Sequence, residues 1–206
     1  DGLVDLLFQD GDGYVGVWFM NRAGVVPAGL KSASLLAPDN VGDTKWRVVG
    51  TGDFNRDRAE DLLFQHQDGT LAVWHMNGIT QVSAVFLNPV KPREEGWRVV
   101  GRADFNQDGN LDLVFQNDEG ELALWYMEGV RMTAPGYFIT ARPGDKGWKV
   151  VTASDFNGDG KPDLLFQHED GTLAVWYLDG LAMIEAALLT PPKPEDKDWR
   201  VVSVLD

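Results

Sequence analysis

A twenty-residue stretch returns along this chain at a fixed step of 51 residues, a regularity that few folds can use. It reads WRVVGTGDFNRDRAEDLLFQ from Trp46 to Gln65, WRVVGRADFNQDGNLDLVFQ from Trp97 to Gln116 and WKVVTASDFNGDGKPDLLFQ from Trp148 to Gln167. A fourth copy is split between the two ends: the chain finishes with WRVVSVLD from Trp199 and begins with DGLVDLLFQ up to Gln9. Self-similarity at about 50 residues points to propellers or solenoids, in which each repeat buries its apolar faces against its neighbours.

Each repeat carries four extended segments. In the second repeat, segment A is Trp46 to Gly50, B is Asp61 to Gln65, C is Leu71 to Met76 and D lies within Val82 to Leu87. Asp68-Gly69 between B and C and Asn77-Gly78 between C and D are hairpin-turn signals. Both side-chain parities of C are apolar, with Ala72, Trp74 and Met76 on one face and Leu71 and Val73 on the other, as in a sheet covered on both sides. The strand-C residues Trp18, Trp74, Trp125 and Trp176 read as packing between such sheets. No helical period is long enough to supply βαβ crossovers. The expected class is all-β, a single β-propeller domain over residues 1–206 with four four-stranded antiparallel blades, in sequence units 1–52, 53–103, 104–154 and 155–206. Segment Trp199 to Ser203 is the A segment whose B, C and D partners sit at the N-terminus, so it is expected to close the first blade. Unpaired edges invite aggregation, which favours a closed monomer over two chains exchanging that strand. Repeat 1 carries five extra residues within Arg22 to Lys45, a loop extension at one blade.

The segment between A and B carries the chemistry. In the third full copy, oxygen side chains stand at loop positions 1, 3, 5 and 9, as Asp155, Asn157, Asp159 and Asp163, with Gly160 at position 6. A hard cation such as Ca²⁺ takes six to eight oxygens, and this spacing wraps them around one point while the glycine allows the sharp turn. The nine-residue loop is flanked by β-type sequence, so it joins two strands and is not an EF-hand. In the split copy, Asp206, Asp1 and Asp5 align with positions 1, 5 and 9. Positions 1, 5 and 9 of the four loops hold twelve of the 32 acidic residues, and four Ca²⁺ ions would bring the net charge of −14 to about −6.

DFNGDGKPDLLFQ followed by GTLAVWYLDG resembles the FG-GAP/VCBS repeats of integrin-α-type β-propellers and of propeller lectins built on such repeats. The resemblance implies Ca²⁺ in the A–B loops, held by Asp53, Asn55, Asp57 and Asp61, by Asp104, Asn106, Asp108 and Asp112, and by Asp155, Asn157, Asp159 and Asp163. It also implies a secreted or cell-surface location, and a glycan or protein ligand met on the face opposite the calcium loops, where the B–C and D–A loops emerge. Arg58 departs from the pattern, standing where Gly109 and Gly160 stand, and a non-glycine residue forced left-handed costs roughly 1–2 kcal/mol.

On that opposite face the sequence brings Trp46, Trp97, Trp148 and Trp199, at the start of each A segment, toward the B-segment ends Gln65-His66, Gln116-Asn117 and Gln167-His168. Two readings stand side by side. Aromatic rings beside amides and imidazoles can stack on a sugar and hydrogen-bond its hydroxyls. Alternatively, the Trp rings cap the core and the Gln amides pair with neighbouring backbone. Repetition of the polar groups with the blades argues against a catalytic constellation, which is asymmetric. A recognition module is therefore expected, carbohydrate-binding or adhesive, with a structural or protein-interaction module as the alternative. An acidic chain lacks the clustered Lys and Arg that nucleic acid requires, and no apolar run is long enough to span a membrane as a helix.

Overall fold

The computed structural model describes residues 5–20, 30–194 and 199–201, and every regular element among them is a β-strand. The all-β expectation holds, and the strands follow the A–D reading of each repeat. Strands β4 (Trp46–Gly52), β5 (Asp61–His66), β6 (Leu71–Asn77) and β7 (Thr80–Phe86) form one antiparallel meander in the order A, B, C, D. The next repeat gives β8 (Arg98–Ala103), β9 (Asp112–Gln116), β10 (Leu122–Glu128) and β11 (Arg131–Gly136). The following one gives β12 (Trp148–Ser154), β13 (Asp163–His168), β14 (Leu173–Asp179) and β15 (Ala182–Leu188). Among the described residues the first repeat contributes B, C and D, as β1 (Leu6–Gln9), β2 (Tyr14–Met20) and β3 (Leu30–Asn40).

Burial explains why the segments differ in composition. The B strands β5, β9 and β13 lie inside their sheets, so Asp61–Gln65, Asp112–Gln116 and Asp163–Gln167 are buried at every position, which requires an apolar run rather than an alternation. Strand β7, the last of its meander, alternates exposed and half-buried residues and its sequence, TQVSAVF, is correspondingly mixed.

The chain divides into two compact units, residues 1–86 and 87–206. In the first, the two meanders are linked through one parallel pairing of Ala37 with Thr80, supported by the Ala37 N–H donating to Ile79 O at 2.8 Å, and the strand order is β1-β2-β3-β7-β6-β5-β4. Its core gathers Val15 and Leu36 with Leu62, Phe64 and Met76. In the second unit, two four-stranded sheets enclose Val114, Leu122 and Leu124 with Leu164, Phe166, Trp176 and Leu178.

Each B–C pair carries the same Phe–Trp contact at 4.8 Å between ring centroids: Phe8–Trp18, Phe64–Trp74, Phe115–Trp125 and Phe166–Trp176. Trp125 and Trp176 are buried, as expected for packing between sheets, and Trp74 is half-buried. Trp18 differs, being 45% exposed. Of the segment Trp199 to Ser203 expected to close the first blade, residues 199–201 are described and are not in a strand, whereas 202–206 lie outside the described residues, as do 1–4. Part of the repeat-1 extension, 21–29, lies outside them too; the described remainder lengthens β3 to 11 residues.

Candidate functional site

Each of the described loops 53–61, 104–112 and 155–163 is organised around its first and last carboxylates. In the 155–163 loop, Asp155 Oδ1 accepts the Gly158 N–H at 2.7 Å and Oδ2 accepts the Gly160 N–H at 2.7 Å. Asn157 Oδ1 accepts from Asp159 N at 2.8 Å, and Asp159 Oδ1 accepts from Lys161 N at 2.9 Å. The other loops repeat the plan, with Gly109 N donating to Asp104 and Arg58 N to Asp53, both at 2.7 Å. These N–H bonds, Gly160 first, hold Asp155 below the usual carboxylate range.

The position-9 aspartates have a second task that the motif did not reveal. Asp61, Asp112 and Asp163 are fully buried, and in each one oxygen accepts the N–H of the loop phenylalanine, Phe54, Phe105 or Phe156, at 2.9–3.0 Å. The other oxygen accepts the N–H of Met76, Met127 or Leu178 at 2.9 Å. That second donor is free because the C–D register shifts there, between His75 and Met76 and at the equivalent places in the later repeats. Asp5 does the same for Met20 N at 2.9 Å, which sets it at position 9 of the split copy; Asp1 and Asp206 lie outside the described residues. Burial pushes the Asp112 carboxyl up to about 6, against the pull of its two N–H donors, with Asp108 and Asp104 adding repulsion. Asp61 and Asp163 move the same way, with burial again the largest cause.

A buried carboxylate below a loop that holds further Asp and Asn oxygens is a donor set of the kind Ca²⁺ takes. The described residues nevertheless contain no group of three or more His, Asp or Glu side chains converged on one point. Within the same loops Asn55, Asn106 and Asn157 donate through Nδ2 to Asp57, Asp108 and Asp159 at 2.9–3.1 Å.

Backbone conformation separates the loops. Position 6 is left-handed throughout, with φ of 71° at Arg58 and 82° at Gly109 and Gly160, so Arg58 does occupy the strained conformation. Position 4 is left-handed as well, with φ of 64° at Arg56, 58° at Gln107 and 79° at Gly158. That requirement escaped the sequence reading, since among the three intact loops only 155–163 has glycine at position 4.

At the other end of the blades the glutamines resolve in favour of backbone pairing. Gln116 Nε2 donates to Trp148 O at 3.0 Å while its Oε1 accepts Val150 N at 3.1 Å, which adds one ladder rung to the A strand of the next repeat. Gln9 holds Trp46 and Val48 in this way, and Gln167 holds Trp199 and Val201. Gln65, Gln116 and Gln167 are all buried, at most 5% exposed, so as ligand contacts they are corrected: their amides do not reach the surface. Asn117 caps its own turn, accepting Glu121 N at 2.9 Å and donating to the Glu121 carboxylate at 2.8 Å.

The tryptophans and histidines do come together. His66 lies 5.0 Å from Trp46 and His168 5.0 Å from Trp148, ring to ring. Each imidazole also bridges two carboxylates: His66 Nδ1 is 2.8 Å from Asp68 and Nε2 3.4 Å from Asp43, and His168 Nδ1 is 3.0 Å from Asp170 and Nε2 3.3 Å from Asp145. Turn bonds from Thr70 and Thr172, followed by the histidines, hold Asp68 and Asp170 well below the usual carboxylate range. The spacings His66-Gln67-Asp68 and His168-Glu169-Asp170, with an Asp three residues before Trp46 and Trp148, are the sequence signals of this arrangement. His75 also has a partner, Ser83 Oγ at 3.0 Å on the neighbouring strand. Trp97 is half-buried, whereas Trp199 is 67% exposed.

The loop at 104–112, strand β9 and the next loop with most of β13 fall within residues 104–166, and that stretch matches the FG-GAP-like repeat family. This chain carries an FG-GAP-like repeat. Cartilage acidic protein 1 of Mus musculus is 28% identical over 133 residues, which cover 61% of this chain and 20% of that protein. The chain thus spans about a fifth of the relative's length. The FG-GAP-like repeat begins at Asp104, position 1 of one loop, and runs past Asp163, position 9 of the next, so one loop-to-loop period of 51 residues lies wholly inside the match.

Proposed function

We propose that this chain is a calcium-stabilised, extracellular recognition module, non-catalytic, in which four FG-GAP-like blades close into a ring with Trp199 to Ser203 completing the first. The observation that supports it best is the buried carboxylate repeated at Asp61, Asp112 and Asp163 under loops that carry further acidic side chains. In this reading Asp53, Asn55 and Asp57 with Asp61, and their counterparts in the later loops, hold Ca²⁺, which neutralises carboxylates that otherwise repel one another. The ion is structural, and recognition lies elsewhere on the molecule.

The partner is a protein. Large apolar side chains stand exposed on the last strand of two meanders, Val82 and Phe86 on β7 and Ile184 and Leu188 on β15, each more than half exposed. Such patches mark interaction surfaces. The carbohydrate reading keeps one specific support, the half-buried Trp46 and Trp148 beside imidazole and carboxylate groups, but the buried glutamines no longer contribute to it. The deciding experiment sets retention on a glycan array against adhesion to surfaces coated with extracellular proteins, both in Ca²⁺. Loss of adhesion in Ile184→Glu/Leu188→Glu, with no glycan retained, supports the protein partner. Glycan retention that Trp148→Ala removes overturns it in favour of a lectin.

A further inference from the structure

We infer that Asn77 is a site of spontaneous modification, at which the Asn77-Gly78 pair of the folded chain closes to a succinimide and reopens as aspartate or isoaspartate. The sequence holds two Asn-Gly pairs, Asn77-Gly78 and Asn157-Gly158. Glycine has no Cβ to hinder attack by its own amide nitrogen, so both pairs are chemically competent. In the step, the Gly78 N–H gives its proton to water or hydroxide, the nitrogen attacks Asn77 Cγ to form a C–N bond, and the Cγ–Nδ2 bond breaks to release ammonia. Water then adds at either ring carbonyl, leaving the new carboxylate on the side chain or on the main chain. Water is the one co-reactant, and nothing is oxidised or reduced.

The structure makes the two pairs unequal. Asn157 and Gly158 are exposed, yet both reacting groups are held. The Gly158 N–H donates to Asp155 Oδ1 at 2.7 Å, Asn157 Oδ1 accepts Asp159 N at 2.8 Å, and Asn157 Nδ2 donates to Asp159 Oδ2 at 3.1 Å. The Asp155 carboxylate stabilises the N–H and repels the nitrogen anion that must attack, while turning Cγ toward that nitrogen breaks both amide bonds. Asn77 and Gly78 are exposed as well: Asn77 ends β6 and Gly78, at φ of 61°, opens the two-residue turn to β7. Among the described residues, neither the Asn77 side-chain amide nor the Gly78 N–H has a hydrogen-bond partner. A Cβ on Gly78 would meet no heavy atom within 4 Å, so the ring and the incoming water have room. The same position in the later repeats already carries an acid, Glu128 beside Arg131 and Asp179 bonded to Lys161 at 2.7 Å. In the second repeat Thr80 and Ala59 stand where those cations stand, so a carboxylate at position 77 adds a charge that neither neutralises, at the start of β7.

Following both sites in one sample of the full chain tests the inference, with incubation in mildly alkaline buffer containing EDTA. Peptide mass spectrometry reads the replacement of NH₂ by OH at each asparagine, and labelling by an isoaspartate methyltransferase reads the rearranged product. In the folded chain, conversion at Asn77 should run about tenfold or more ahead of conversion at Asn157, the factor that one charge-assisted hydrogen bond supplies. In urea, where only the shared Asn-Gly chemistry remains, the two rates should come together. Asp155→Asn keeps the side chain's shape and removes its charge, so it should speed conversion at Asn157 and leave Asn77 unchanged. Gly78→Ala should slow Asn77 alone. Equal rates at the two sites of the folded chain, a faster Asn157, or no conversion at Asn77 while the urea-unfolded chain converts would overturn the assignment.

Discussion

Loops 53–61 and 155–163 are built on one plan, with the same buried aspartate beneath and the same N–H bonds to the first carboxylate, yet one carries glycine at both left-handed positions and the other at neither. Arg56 and Arg58 stand where Gly158 and Gly160 stand. The hydrogen bonds alone hold the arginines left-handed, at a cost of roughly 1–2 kcal/mol each. Loop 104–112 is intermediate, with Gln107 strained and Gly109 relaxed. The comparison separates two contributions to loop stability: the buried anchor, which all three share, and backbone tolerance, which they do not.

The anchor gives the largest effect. Asp163→Ala removes the acceptor of both Phe156 N and Leu178 N, and Asp61→Ala does the same to Phe54 N and Met76 N. Each should lower the unfolding free energy by about 3 kcal/mol or more in urea titrations, by similar amounts in the two loops. A loss confined to one of them would break the claim that the anchor is independent of the glycines.

The next effect is electrostatic and belongs to Asp112. Its carboxyl is raised to about 6 in the folded chain, so between the ordinary carboxylate range and that value the folded state binds a proton that the unfolded state has released. In EDTA this group favours folding most at low pH, and its contribution declines as pH rises through about 6, by on the order of 2 kcal/mol. Excess Ca²⁺ needs the ionised carboxylate and should abolish the decline. Urea midpoints at a series of pH values, with and without the ion, measure it.

Backbone tolerance is the smaller lever. Gly160→Arg should destabilise by about 1–2 kcal/mol and make the fourth repeat's loop resemble the second. Arg58→Gly should move the other way by about 1 kcal/mol or less, because relieved strain is partly offset by the freer unfolded chain. If Gly160→Arg proves neutral, the left-handed conformation carries no cost here and the ranking of the loops fails.

How far residues alone revealed this structure depends on whether a feature repeats locally. The four strands per repeat and their turns were readable because Asp-Gly and Asn-Gly pairs and two-sided apolar runs are local signals, and Arg58 stood out against Gly109 and Gly160 for the same reason. Position 4 was not readable: two of its three occupants, Arg56 and Gln107, are not glycine, so composition concealed the left-handed backbone. The roles of the buried aspartates and glutamines were hidden differently. Asp163 pairs with Leu178, 15 residues away across a bulge, and Gln116 pairs with Val150, 34 residues away in the next repeat, and no spacing within one loop announces such partners. Trp18 shows the reverse case, a residue like its siblings in sequence that is exposed where Trp125 and Trp176 are buried.

Thermal unfolding with and without calcium tests the account most directly. Binding only to the folded state adds roughly 2.7 kcal/mol when free ion stands at a hundred times the dissociation constant. The melting temperature should therefore rise clearly from EDTA to millimolar Ca²⁺, and the rise should shrink in Gly160→Arg and grow in Arg56→Gly/Arg58→Gly. An equal melting temperature in EDTA and in excess Ca²⁺ would contradict the claim that these loops are calcium sites, and would leave the acidic clusters as turns held by their own N–H bonds.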